Sequence, residues 1–130
     1  MDTFVFMLVD RFYTVEFFEN SSAGFVCGVI FPAGHEIYQG HFPGQPVVPG
    51  VLQIQTVREL TEKAVGRVMF INEVVSAKYL RMIVPGVSVL RVEAVLKGES
   101  DAISLTAVIK DAESVYSKLK IRLTTKKPPE

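Results

Sequence analysis

Apolar and polar positions alternate with a period of two through the C-terminal half of the chain, and with a period near 3.6 in one stretch before it. Val87–Lys97 sets Leu90, Val92, Ala94 and Leu96 against Val89, Arg91, Glu93 and Val95. Ile103–Lys110 sets Ile103, Leu105, Ala107 and Ile109 against Ser104, Thr106 and Val108. Val115–Leu123 sets Val115, Ser117, Leu119, Ile121 and Leu123 against Tyr116, Lys118, Lys120 and Arg122. Successive side chains of a strand point to opposite faces, so each stretch predicts a strand with one face turned to a core. Gly98–Asp101 and Asp111–Ser114 separate them as hairpin-type breaks. Val68–Leu80, rich in β-branched residues and followed by the turn Pro85-Gly86, predicts a further strand, as does Ser22–Phe31 before Pro32 and Gly34.

Pro49–Gly66 is the one long helix in the pattern. Ile54, Val57, Leu60, Ala64 and Val65 fall on one side of it, and Gln55, Arg58, Glu59, Glu62 and Lys63 on the other. Val51 and Leu52 widen the apolar surface at its start. Pro49 and Gly50 suit a helix opening, where a missing N–H costs nothing, and Gly66 supplies the stop. Before the helix the pattern is weaker: a short helical or irregular opening around Phe4–Leu8, an extended piece near Phe12–Phe18, and a loop from His35 to Gly50. The tail Thr124–Glu130 is polar and is expected to fray. One long helix against an antiparallel meander is an α+β layer arrangement, with outer strands whose edges dimerisation can pair.

Composition narrows the function classes. A chain of 130 residues, 48% apolar and 22% charged, has the make-up of one ordinary soluble domain spanning residues 1–130. A formal net charge of zero argues against a nucleic-acid binder driven by bulk charge. Cys27 is the only cysteine and His35 and His41 the only histidines, so neither an internal disulfide nor a metal cluster is indicated, and no cofactor is expected. Cys27, in a strand, reads as core packing. The apolar start Met1–Val9 carries Asp2, lacks a basic lead and is too short to span a membrane, so a cytoplasmic protein is expected.

The candidate chemistry sits in His41-Phe42-Pro43-Gly44-Gln45-Pro46-Val47-Val48-Pro49-Gly50-Val51-Leu52. Each proline fixes φ near −65° and pushes the residue before it out of the α region, so the loop is a stiff mount. It carries one imidazole, His41, and runs into a helix start, where free N–H groups and partial positive charge favour an anion or a polarised carbonyl oxygen. A plain proline-rich connector would account for the same composition.

With Phe6-Met7-Leu8-Val9-Asp10-Arg11, Tyr38-Gln39-Gly40, Lys78-Tyr79-Leu80-Arg81 and Val84-Pro85-Gly86, this loop resembles the 3-hydroxyacyl-acyl-carrier-protein dehydratases. The resemblance runs to about Lys97. It implies a hot-dog fold, one long central helix wrapped by a curved antiparallel sheet. It also implies that His41 is the acid/base that removes the α proton of a 3-hydroxyacyl thioester, and that the Gly50 N–H stabilises the enolate-like charge. The partner implied is an acyl carrier protein bearing a phosphopantetheine-linked acyl chain. The assembly implied is a homodimer or dimer-based hexamer, or a heterodimer with a homologue, with each active site built across two chains.

One departure matters. In the family an acidic residue five positions after the glycine, contributed by the partner chain, handles the departing hydroxyl; here that position is Gln55. A carboxamide can hydrogen-bond a hydroxyl but transfers no proton at neutral pH. Glu59, one turn further along the same face, is the possible substitute acid, although Glu59 and Glu62 also fit a solvated helix face. The expected function is therefore elimination of water from a 3-hydroxyacyl thioester to give a trans-2-enoyl thioester, in fatty-acid or polyene-type lipid biosynthesis. The alternatives are a hot-dog acyl thioesterase, or an impaired partner subunit that needs an active homologue. Lys78, Arg81 and Arg91 are candidates for docking an acidic carrier protein.

Overall fold

The computed structural model describes residues 8–40, 44–99 and 101–129. Six strands form a single antiparallel sheet: β1 (Thr14–Asn20), β2 (Gly24–Ile30), β3 (Phe70–Tyr79), β4 (Leu90–Glu99), β5 (Ala102–Lys110) and β6 (Val115–Thr124). Their order across the sheet is β1-β2-β4-β5-β6-β3. Between β2 and β3 lie a one-turn helix α1 (Ile37–Gly40) and the long helix α2 (Gly50–Val65). Strands β1 and β3 are the edges, and the helix is carried by the connection from β2 to β3. This is the hot-dog arrangement, one helix wrapped by an antiparallel sheet, that the resemblance implies.

The meander β4-β5-β6 follows the period-two pattern. Leu90, Val92 and Ala94 of β4, Ile103, Leu105, Ala107 and Ile109 of β5, and Leu119, Ile121 and Leu123 of β6 are all buried. The alternate residues face outward, and on that face Glu93 pairs with Arg91 and Lys110. β4 begins at Leu90, three residues later than the alternation suggests, because Val87 is 90% exposed and lies outside the pairing. β3 differs from the rest. It pairs only with β6, its register shifts twice, and most of its side chains, Val74, Val75 and Tyr79 among them, are exposed.

Helix α2 takes Pro49 as its N-cap, in an extended conformation with no side-chain cap, and ends on Gly66 in the left-handed conformation at φ 77°. A residue with a Cβ is strained there, which accounts for glycine at the stop. The stretch expected to be loop up to Gly50 contains the extra turn α1. His35 organises it, since the Ile37 N–H donates to His35 Nδ1 at 3.1 Å and the Tyr38 N–H to the His35 carbonyl at 3.1 Å. Tyr38 is thereby turned inward, its ring 5.9 Å from that of Phe12.

The segment before β1 also differs from an extended piece starting at Phe12. Leu8 to Tyr13 form a tight turn in which the Asp10 N–H donates to the Tyr13 carbonyl at 2.7 Å and the Phe12 N–H to the Leu8 carbonyl at 2.7 Å. Asp10 carries the positive φ of 66° that the turn requires. The turn exists because Leu8, Phe12 and Tyr13 are all buried, and only a reversal lets all of them point inward. The irregular or helical opening expected at Phe4–Leu8 lies, but for Leu8, outside the described residues.

The core gives the protein an alkaline limit. Cys27 is fully buried, and burial raises its thiol from 9.0 to about 12; burial raises the Tyr38 phenol from 10.0 to about 12. Both groups hold their protons longer in the folded chain than in the unfolded one. The unfolded state therefore binds fewer protons over this range, and stability falls as pH rises. The stabilisation is complete below the unfolded values and is lost from about pH 9 to about pH 12, at about 1.4 kcal/mol per pH unit for each group titrating. Melting followed from pH 8 upward should show this decline, and Cys27→Val should flatten its first part. An unchanged slope in Cys27→Val would refute the assignment.

Candidate functional site

His41, the residue on which the expected chemistry turns, lies outside the described residues, as do Phe42 and Pro43. The other sequence-predicted site residues, Gly50, Gln55 and Glu59, all lie on α2, and the structure brings two of them into contact.

Gly50 is the first residue of the helix. In an α-helix the first N–H groups have no intrahelical acceptor, and here no side chain caps them. The Leu52 and Gln53 N–H groups both turn back to the Pro49 carbonyl at 3.1 Å, and among the described residues the Gly50 and Val51 N–H groups at the helix end have no acceptor. Tyr79, at the end of β3, lies against this end: a Cβ added at Gly50 would sit 2.5 Å from Tyr79 Cζ. A larger residue at position 50 would thus displace the Tyr79 ring, which is 45% exposed, rather than strain the backbone. Burial also raises the Tyr79 phenol above its ordinary pKa. Around the opening, Val51, Leu80, Met82 and Val84 present exposed apolar side chains.

Gln55 and Glu59 form a bonded pair one turn apart. Gln55 Nε2 donates to Glu59 Oε2 at 3.0 Å, and Gln55 Oε1 accepts from Arg58 Nε at 3.2 Å. Glu59 is 4% exposed, so the solvated-face expectation for it does not hold. It is not on a solvated face, because the Leu8–Tyr13 turn covers it. Its carboxylate is taken up by hydrogen bonds within the fold. The Leu8 N–H at 2.8 Å, the Val9 N–H at 3.1 Å, the Tyr13 hydroxyl at 3.0 Å and the Gln55 amide all donate to it. Among the described residues these four donors take up both carboxylate oxygens. Burial, then the charge of Glu59, raise the Tyr13 phenol far above its ordinary range, so Tyr13 remains a donor at every working pH.

The network continues along the helix. Arg58 Nη1 donates to Glu62 Oε2 at 2.8 Å and to the Met69 carbonyl at 3.0 Å, and Glu62 Oε2 accepts the Met69 N–H at 2.8 Å. The face expected to meet solvent is therefore mostly covered, by the N-terminal turn at one end and the approach to β3 at the other. Lys63 alone on it is exposed, with its ammonium 5.4 Å from the Phe18 ring.

Sequence reasoning missed Gln53. Its side chain is 3% exposed, its Nε2 donates to the Val48 carbonyl at 3.1 Å, and its Oε1 accepts from the buried Ser117 hydroxyl. It ties the loop before the helix to β6. The signal was present: positions 53, 57, 60 and 64 are spaced as one buried helical stripe, so Gln53 belongs with Val57 and Leu60. Of the candidate docking residues, Arg91 is held by Glu93 at 2.6 Å, whereas Lys78 and Arg81 are exposed.

No described helix is long and apolar enough to cross a membrane. Among curated proteins the chain is similar to enzymes named 3-hydroxyacyl-[acyl-carrier-protein] dehydratase FabZ. That of Acidiphilium cryptum is 40% identical over 96 residues, covering 67% of this chain and 55% of the relative. That of Pelotomaculum thermopropionicum is 36% identical over 99 residues, covering 71% and 67%. The chain thus spans from 44% to 67% of the length of such relatives. Among solved structures it is similar to the dehydratase heterocomplex ApeI:P from Xenorhabdus doucetiae, with TM-score 0.70 and 19% identity over 85% of this chain and 96% of that one. It is also similar to an uncharacterized protein from Erwinia carotovora subsp. atroseptica, with TM-score 0.63 and 20% identity over 86% and 93%. At those identities the likeness concerns the fold. A model of the ApeI-like family, described as ApeI dehydratase, matches residues 19–120, and on that span the chain belongs to the ApeI-like dehydratase family.

Proposed function

We propose that this protein carries out, or takes part in, β-elimination of water from a 3-hydroxyacyl thioester carried on an acyl carrier protein. His41 takes the proton from C2, the electron pair of that C–H bond forms the C2=C3 double bond, and the hydroxyl leaves C3. The thioester carbonyl, negative in the transition state, rests on the Gly50 N–H at the helix opening. Gln55 binds the departing hydroxyl but supplies no proton, so the imidazolium of His41 returns the proton that completes the water. The observation that carries this reading is the uncapped start of α2 at Gly50, nine positions after His41 and one turn before a Gln55 whose amide is held at both ends. The dehydratase names of the curated relatives support it.

The test is formation of a trans-2-enoyl thioester from a 3-hydroxyacyl carrier-protein substrate. Turnover is expected for the wild-type chain and is expected to fall by about 10²–10⁴-fold in His41→Ala, the usual range for a lost acid/base group. Equal rates for the two would sink the proposal for the protein acting alone.

The amide at position 55 favours a second reading, in which the chain completes its site with a homologue bearing an acid there. A similar fold comes from a protein described as a dehydratase heterocomplex, which is in keeping with this. Turnover that appears only on mixing with such a homologue, and that depends on His41, would select it. Release of free thiol without enoyl formation would instead point to the thioesterase.

A further inference from the structure

We infer that Glu59, itself seated under the Leu8–Tyr13 turn, is a positioning residue that fixes the carboxamide of Gln55 in one orientation. The inference rests on the proposed hydroxyl-binding role of Gln55, but it can be read without turnover.

A glutamine side chain ends in two groups of similar shape and opposite hydrogen-bonding sense, and exposed amides flip between them. Gln55 has no such freedom. Glu59 accepts only, so the group facing it must be Nε2, and the contact is 3.0 Å. Arg58 donates only, so the group facing it must be Oε1, at 3.2 Å. An acceptor on one side and a donor on the other thus select a single orientation. In that orientation one N–H and one oxygen lone pair of Gln55 remain for a substrate hydroxyl. The first can hold the oxygen of a leaving hydroxyl and the second its proton.

Glu59 is itself fixed by a different part of the chain. Its Oε1 takes the Val9 N–H and the Tyr13 hydroxyl, and its Oε2 takes the Leu8 N–H together with the Gln55 amide. Arg58 is anchored in turn by Glu62 and the Met69 carbonyl. Glu59 is therefore held by groups about 50 positions away and Arg58 by groups closer along the chain, and the carboxylate lies between the N-terminal turn and position 55.

Glu59→Gln tests this, with Tyr13→Phe as the variant that weakens the turn while leaving the acceptor opposite Gln55. In Glu59→Gln the new amide can present either sense, and Gln55 loses its fixed orientation. The side-chain amide resonances of Gln55, assigned in the wild type by their loss in Gln55→Ala, should shift and broaden in Glu59→Gln and stay in place in Tyr13→Phe. In the dehydration assay kcat should fall roughly 10- to 100-fold in Glu59→Gln with KM little changed, the size expected of a charge-assisted hydrogen bond. Tyr13→Phe should keep kcat within about threefold. Unmoved Gln55 resonances in Glu59→Gln, or equal shifts in the two variants, would overturn the inference. Shifted Gln55 resonances in a protein with no dehydration in any form would leave the orienting role standing and count against the catalytic reading alone.

Discussion

Gln55→Glu should raise dehydration by about 10²–10⁴-fold, because it supplies the proton donor that the carboxamide lacks. The surroundings of position 55 shape the result. The new carboxyl would stand beside Glu59 Oε2, where Gln55 Nε2 now donates at 3.0 Å. Two carboxylates at that range cannot both be ionised cheaply, so the carboxyl at position 55 should hold its proton to higher pH than an ordinary glutamic acid. That suits a general acid, and activity should rise to a maximum and then fall as pH carries the group to its ionised form. The exchange variant Q55E/E59Q avoids the charge conflict. There an amide at 59 donates to the carboxylate at 55 and still accepts from the N-terminal turn with its oxygen. It should gain activity with a smaller loss of melting temperature than Gln55→Glu. If neither variant exceeds the wild-type rate while both remain folded, the missing acid is not what limits this protein acting alone.

Glu59→Ala should cost about 3–5 kcal/mol of stability, the range for removing one partner of a buried charged network. The loss does not come from one weak contact. Two backbone N–H groups and the Tyr13 hydroxyl would be left in the core without an acceptor, and Arg58 would lose a carboxylate 4.0 Å away. Buried donors without partners are costlier than the net worth of the bonds they made. Melting should fall on the order of 10–20 °C for a domain of this size. Limited proteolysis should cut near Leu8–Tyr13 before it cuts the meander. A Glu59→Ala protein that melts within a degree or two of wild type would show that the turn is held by its buried apolar side chains alone.

These expectations replace the one the bare sequence suggests for Glu59. Along α2 the polar residues Gln55, Arg58, Glu59, Glu62 and Lys63 recur as a solvent-facing stripe should, and nothing in their spacing marks four of them as covered. Periodicity reports which residues share a face of a helix. It does not report what lies against that face, and here the cover comes from the Leu8–Tyr13 turn, about 50 positions away, and from Met69. The same limit applies to Gln53, whose place on the buried stripe was legible and whose partner Ser117, 64 positions off, was not.

The sequence by itself determined the strand pattern of the meander and the span of α2 with its two glycine-bearing ends. Those features rest on local physics: side-chain alternation, the fixed φ of proline, and the freedom of glycine at a left-handed stop. Tertiary structure alone decided that Tyr79 lies against Gly50, that β3 stands at an edge with most of its side chains exposed, and that Glu59 is covered rather than solvated. Each depends on a contact between segments far apart in the chain. The motif therefore points to Gly50 and Gln55 for the proposed site, and the folded chain shows which way Gln55 faces.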